Sequence, residues 1–211
     1  MAQISQDLHH FFIEEPPSEQ ITLADALEIA GERTFGFLFV LLALPSALPI
    51  PAAGYSTPFG IVLLILAIQL ILGAHTPWLP SKIMHRPISL QRIQGLIKAG
   101  IPWIQKIEKL SKPRLTPVCT SLVGRVVIGI AIALMAISML IPIPGTNTLP
   151  AMAIFVIGFG LLDDDGAISL AGIALSICGL VLTSSILYAI AFGGTSLYDW
   201  LKTGVKGLLG K

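Results

Sequence analysis

The sequence predicts an all-α integral membrane protein: two proline- and glycine-interrupted helical hairpins, a C-terminal transmembrane helix and amphipathic interfacial helices. Three observations lead there. The chain is 54% hydrophobic and 12% charged, far from the balance of a water-soluble domain. Lys, Arg, Asp and Glu are absent from residues 34–81, 126–162 and 166–198, and each tract exceeds the roughly 20 residues that a bilayer crossing needs. Two of the tracts are broken by similar stretches, LPIPAAGYSTP at 48–58 and IPIPGTNTLP at 141–150.

From the N-terminus, residues 1–32 form an acidic segment in which Asp7, Glu14, Glu15, Glu19, Asp25, Glu28 and Glu32 stand without any Lys or Arg. Thr22 with Asp25 fits a capping box opening an amphipathic helix. The segment has no basic flank, short apolar core or small-residue cleavage site, so the first apolar tract is expected to direct insertion. A first membrane repeat occupies 33–75 and a basic connecting region 76–124. Residues 82–125 carry nine Lys and Arg against one acid, Glu108, which the positive-inside rule assigns to the cytoplasm. Within them Ile93, Leu96, Ile97, Ile101, Ile104 and Ile107 recur at helical spacing, with Arg92, Lys98 and Lys106 on other faces. Such a helix lies at the membrane surface or packs on the protein's own cytosolic side, and Pro102 is expected to kink or divide it. A second repeat covers 125–166, a transmembrane helix 167–194, and a basic tail with Lys202, Lys206 and Lys211 closes the chain over 195–211.

The two repeats align at a shift of 93 residues, which superposes Gly36 on Gly129, Leu41 on Leu134, Pro49 on Pro142, Pro51 on Pro144 and Gly73 on Gly166. Apolar matches are cheap in this composition, but a P-x-P in register with two glycines is not. The helix breaks are Pro49, Pro51, Pro142 and Pro144. Runs 35–48, 126–141 and 151–162 would extend about 21, 24 and 18 Å as helices, short of a hydrocarbon core about 30 Å thick. Each hairpin is therefore either re-entrant, with its tip at membrane depth, or an ordinary spanning pair. The absence of charge in both interruptions favours burial, and irregular backbone at that depth survives only where protein or a water-filled cavity satisfies it. Broken helices of this kind tend to line substrate or ion sites.

Candidate binding residues follow from this. Tyr55, Ser56, Thr57, Thr146, Asn147 and Thr148 are the neutral polar groups of the tips, and Asn147 can offer an oxygen to a cation or cap a half-helix. Gln69, inside an apolar run, is helix–helix glue or pathway lining. Asp163 and Asp165, with Asp164 between them, could attract a cation, or form a turn in which Asp165 caps the next helix. Arg33 and Arg125 are expected to snorkel to the interface and Trp78 to anchor there. Cys119 and Cys178 have no disulfide or metal spacing, and no metal or cofactor is implied. No soluble segment is large enough for a sugar-nucleotide domain, and no phosphate loop, nucleophile elbow or zinc motif occurs, so an enzyme is not expected.

Topology adds a partner. Both repeats begin on one side, and a spanning 167–193 then sets the C-terminal lysines opposite the basic central region, against the positive-inside rule. An antiparallel homodimer would resolve this conflict. A dimer of some kind is expected because one span and four short runs enclose little volume. The other partners are the lipid bilayer and a small ion or solute, with no nucleic acid.

GERTFGF at 31–37, LPIP at 48–51, PWLP at 77–80, KPR at 112–114, IPIPGTNTLPA at 141–151 and DG at 165–166 resemble the bacterial exopolysaccharide-synthesis ExoD family over about residues 20–195. Its motif positions fall on Pro49, Pro51, Trp78, Pro80, Pro113, Arg114, Arg125, Pro142, Pro144, Asn147, Pro150, Asp165 and Gly166. The resemblance implies a multi-pass protein of the bacterial inner membrane linked to exopolysaccharide production, and brings no catalytic residues. Two functions remain open: binding or transport of a small ion or solute at the tips, or a non-transporting accessory role in polysaccharide synthesis or export.

Overall fold

The computed structural model describes residues 20–22, 33–47, 56–81, 88–141 and 147–192. Helices α1 (Thr34–Ala47), α2 (Ser56–Ile71), α3 (Leu90–Leu110), the single turn α4 (Pro117–Thr120), α5 (Leu122–Leu140), α6 (Thr148–Leu162) and α7 (Gly166–Phe192) follow in order. One two-residue bridge accompanies them: β1 (Gln20–Ile21) pairs antiparallel with β2 (Ile88–Ser89). Thr22 directly follows β1, while Asp25 and the helix that the capping box would open lie outside the described residues.

α1, α2, α6 and α7 are apolar around their whole circumference, so only packing chooses which side faces inward. The choice is a cross-pairing. α1 lies chiefly against α6, and α2 against α5, while contacts within each hairpin are slighter. Both pairs are antiparallel and both are brought close by glycine. A Cβ on Gly36 would stand 2.9 Å from the Gly158 carbonyl and 2.6 Å from the Leu162 nitrogen. A Cβ on Gly129 would stand 3.2 Å from the Ala67 carbonyl and 3.3 Å from the Ile71 nitrogen. Phe39, Leu63, Leu66, Ile128, Ile132, Ile154 and Phe159 fill the centre of the bundle. Its outside is also apolar: Ile61, Ile68, Val127, Ile130, Ile137, Ile177 and Val181 are all exposed. An exterior of this kind suits lipid rather than water.

Both hairpins open toward one end of the bundle. Arg125, near the start of α5, lies over the Phe35 ring at the start of α1, its guanidinium carbon 6.0 Å from the ring centroid. The ends of α2 and α6 meet the same region, and the ends of α1 and α5 lie with the starts of α2 and α6 at the opposite end. α7 leaves the charged end antiparallel to α6, meeting Ile157 at Gly172 and Met135 and Leu149 at Gly179. From there it continues to Phe192, about 20 Å beyond the start of α6.

Two sequence expectations need correction. The run at 126–141, judged too short to cross, is part of a 19-residue helix, because the Ser121 hydroxyl accepts from the Gly124 amide at 3.1 Å and starts α5 four residues earlier. Leu122–Leu140 and Gly166–Tyr188 are each long and apolar enough to cross a membrane, by length and composition. Of the kink or division expected at Pro102, division does not occur. α3 is continuous through it, with Pro102 exposed and the packed positions Gly100 and Ile104 on another side. Gly100 meets the Leu44 side chain near the far end of α1, whereas Lys112, just past α3, is bonded at the charged end. The second half of α3 therefore runs along the bundle and packs on the protein itself.

Candidate functional site

The charged end is built on the turn between α6 and α7. Asp165 is 1% exposed, and its carboxylate accepts three amides: Lys112 at 2.9 Å on Oδ2, and Ala167 at 3.0 Å and Ile168 at 3.2 Å on Oδ1. The last two cap α7, and the first fastens the connector. The Gly166 amide donates to the Arg114 carbonyl at 2.7 Å, so Lys-Pro-Arg at 112–114 and Asp-Gly at 165–166 clasp each other. Asp164 takes φ 54°, a left-handed conformation that aspartate tolerates better than most residues, and this reverses the chain sharply.

Arg33 closes the turn from α1. Its Nη1 donates to the Leu162 carbonyl at 2.8 Å and lies 3.9 Å from Asp163 Oδ1, and its Nη2 lies 3.4 Å from Asp164 Oδ2. Asp163 Oδ1 is buried without a hydrogen bond among the described residues, with that long ion pair beside it. Arg33 is 43% exposed, so screening holds the ion pairs to about 1 kcal/mol or less. Arg125 does for α2 what Arg33 does for α6. Its guanidinium donates to the Ala74 carbonyl, just past the helix end, with His75 Nδ1 at 3.5 Å. Both arginines, expected to snorkel, bind the carbonyl end of a neighbouring helix, where a cation also complements the helix dipole.

Cys119 is buried behind this turn, its Sγ 3.4 Å from Ser169 Oγ and 3.5 Å from the Gly160 carbonyl. Burial pushes the thiol above its ordinary value; the Ser169 hydroxyl opposes this, and the charges of Asp164 and Asp165 add to it.

The acidic candidates thus separate. Asp163 and Asp164 face Arg33 while Asp165 turns inward to cap α7, so the three carboxylates do not converge on a common cation position. Among the described residues no group of three His, Cys, Asp or Glu side chains is placed to hold a metal ion. Gln69 is corrected as well. Its Oε1 accepts from the Trp78 amide at 2.6 Å and its Nε2 donates to the Trp78 carbonyl at 2.7 Å, so both halves of the amide pin the connector instead of lining a pathway.

At the opposite end, Asn147 stands at the N-cap position of α6 without a side-chain capping bond. Its Nδ2 donates to the Met139 carbonyl at 3.4 Å, tying the start of α6 to the end of α5. Thr57 and Thr148 are half-buried in the first turns of α2 and α6, and Ser56 is the first residue of α2. Tyr55, Thr146, Pro49, Pro51, Pro142 and Pro144 lie outside the described residues. Sequence reasoning missed the charged end as a structural unit. Its signal was the pairing of KPR with DG, two short motifs 53 positions apart that share one carboxylate.

Cross-paired helical hairpins with an apolar exterior and a charged end define an all-helical bundle, two of whose helices are long and apolar enough to cross a membrane. This chain belongs to the ExoD family, whose description is exopolysaccharide synthesis, and the family profile matches residues 4–185. It is similar to an uncharacterized protein of Synechocystis sp., 48% identical over 206 residues, which is 98% of this chain and 97% of that one. It is also similar to Protein ExoD of Rhizobium meliloti, 28% identical over 180 residues, covering 84% of this chain and 75% of the relative. No solved structure matches.

Proposed function

We infer that this ExoD-family chain is a multi-pass protein of the bacterial inner membrane that binds or passes a small ion or solute where its two hairpins close. Its link to exopolysaccharide synthesis comes from the family. The observation that carries the reading is a difference in length. The start of α6 stands level with Gly179, midway along α7, and apolar helix continues from there to Phe192. In a membrane set by the full length of α7, rather than by the shorter α5, the starts of α2 and α6 fall inside the slab, where freed backbone dipoles need a polar partner. The starts of α2 and α6 share that end, so two positive helix termini serve the same region. Its internal duplication makes the two tips equivalent halves of one site.

Cysteines placed at Ala52 and Gly145 test this. In membranes they should resist a bulky hydrophilic maleimide added from either side, and purified protein in liposomes should give ion- or solute-dependent flux that Asn147→Ala removes. Ready labelling of both positions overturns the permeation site. A second reading, a non-transporting accessory role in polysaccharide synthesis or export, draws on the exposed Lys98 and Lys106 of α3. It predicts no flux, and polysaccharide output that falls with Lys98→Glu and Lys106→Glu while the Asn147→Ala variant keeps its output.

A further inference from the structure

We propose that the mouth of the α2–α5 pair seats the headgroup of an anionic phospholipid, with Arg125 and His75 on its phosphate. This rests on the reading of the chain as membrane-embedded. The two arginines of the charged end hold helix ends alike but differ in counter-charge. Arg33 faces Asp163 and Asp164. Arg125 meets only neutral or aromatic groups: the Ala74 carbonyl, His75 Nδ1 at 3.5 Å and the Phe35 ring. Among the described residues no carboxylate pairs with it. A half-buried guanidinium held this way calls for an anion, and its planar fork matches a phosphate, which it can bind through two parallel bonds. His75 is exposed beside it. Arginine can only donate, so Nδ1 accepts, Nε2 carries the ring proton, and that N–H can donate to the same anion.

Apolar surface collects at the same mouth. Leu72, Val123 and Trp78 are the three most exposed large apolar side chains among the described residues, at 78%, 74% and 68%, and Leu122 is exposed as well. They are neighbours. Leu122 Cδ1 lies 3.5 Å from the place of a Cβ on Gly73, the residue after Leu72, and the Trp78 backbone is bonded twice to the Gln69 side chain, one turn before Gly73. Gly73 takes φ 79°, the left-handed turn that ends α2 and presents the Ala74 carbonyl to Arg125. Val123 also opens the exposed aliphatic stripe of α5, which continues through Val127 and Ile130. A cation without a carboxylate, ringed by bulky apolar groups, is complementary to a phosphate that carries acyl chains. A soluble anion would leave the four apolar side chains in water, and a purely apolar partner would cover the guanidinium without supplying a counter-charge. With α5 as a span, Trp78 and Arg125 then stand at the level of the headgroups.

The test is a thermal melt of the full-length protein in phosphatidylcholine vesicles with and without phosphatidylglycerol. The anionic lipid should raise the wild-type midpoint by about 2–4 °C. Arg125→Gln should lose that shift and Arg125→Lys should keep part of it, while Arg33→Gln, at the arginine that already has two carboxylates, should keep it whole. Because His75 is exposed, His75→Ala should melt close to the wild type in phosphatidylcholine yet show a smaller shift. Equal wild-type midpoints in the two lipids overturn the proposal. A shift that survives in both Arg125→Gln and His75→Ala overturns it as well, since the lipid would then bind elsewhere. Soluble glycerol phosphate giving the full shift in phosphatidylcholine would mean a site for free phosphate, against the lipid. Carbonate extraction of native membranes reads embedding separately. Release of the chain sinks the membrane reading and this proposal with it, whereas a chain that stays in the pellet and shows no lipid preference sinks this proposal alone.

Discussion

Arg33 donates from Nη1 to the Leu162 carbonyl at 2.8 Å, joining the start of α1 to the end of α6 across 129 residues of sequence. Arg125 holds Ala74 in the same way for α5 and α2. The two bonds lie at one end of the bundle and close its two antiparallel pairs.

Salt should distinguish these clasps. Arg33→Ala is expected to cost about 1–2 kcal/mol at low ionic strength, since it too loses a carbonyl bond, and less in 1 M NaCl, because the pairs of its part-exposed guanidinium with Asp163 and Asp164 are screened. Arg125→Ala should cost about 1–2 kcal/mol with little salt dependence, since it loses a carbonyl bond and contact with the Phe35 ring. Unfolding in detergent at two salt concentrations reads both.

Asp165→Ala should be among the most damaging single changes at the charged end, at about 2–3 kcal/mol. It strands the Lys112, Ala167 and Ile168 amides together in a buried place. Asp165→Asn should cost less, because a carbonyl oxygen can still cap α7 while the new amine faces the Lys112 amide. Denaturant unfolding of both variants checks the order, and equal costs would mean that the cap contributes nothing.

Glycine substitutions should take opposite signs. Gly36→Ala drives a methyl into the Leu162 backbone and should destabilise by about 1–3 kcal/mol. Gly95→Ala in α3 meets nothing within 4 Å and should stabilise by about 0.5–1 kcal/mol through helix propensity. Thermal melts of the two variants side by side decide it.

Cys119 should make stability depend on alkaline pH. Its thiol is raised in the folded state, so folding retains the proton: the contribution is complete below the unfolded-state value of 9.0 and is lost as pH rises through the higher folded one. The wild type should therefore lose more stability above pH 9 than Cys119→Ala does. The buried thiol should also react with maleimide only slowly until the protein is unfolded.

Composition and charge-free tracts were enough to read the helical class, the interrupted runs and the long C-terminal helix, since a window of twenty apolar residues has few other uses. The KPR and DG motifs were legible as motifs but not as partners, and Asp165 was legible as a cap beside a competing cation reading. Its third bond, to Lys112, comes from a segment 53 residues away and leaves no periodicity to detect. Gln69 illustrates the same limit. An amide inside an apolar run announces a hydrogen bond without saying whether a helix, a pathway or, as here, a connector nine residues downstream is its partner.

The sequence by itself determined that this chain is helical, apolar and interrupted at two similar places, because those properties reside in local composition and in backbone donors that proline removes. Only the tertiary structure decided that each hairpin's helices pair with those of the other hairpin, that the arginines hold helix ends, and that α7 outreaches its neighbours. Helices apolar on every side carry no moment to select a partner, so close approach at glycines and the few polar groups at one end made that choice.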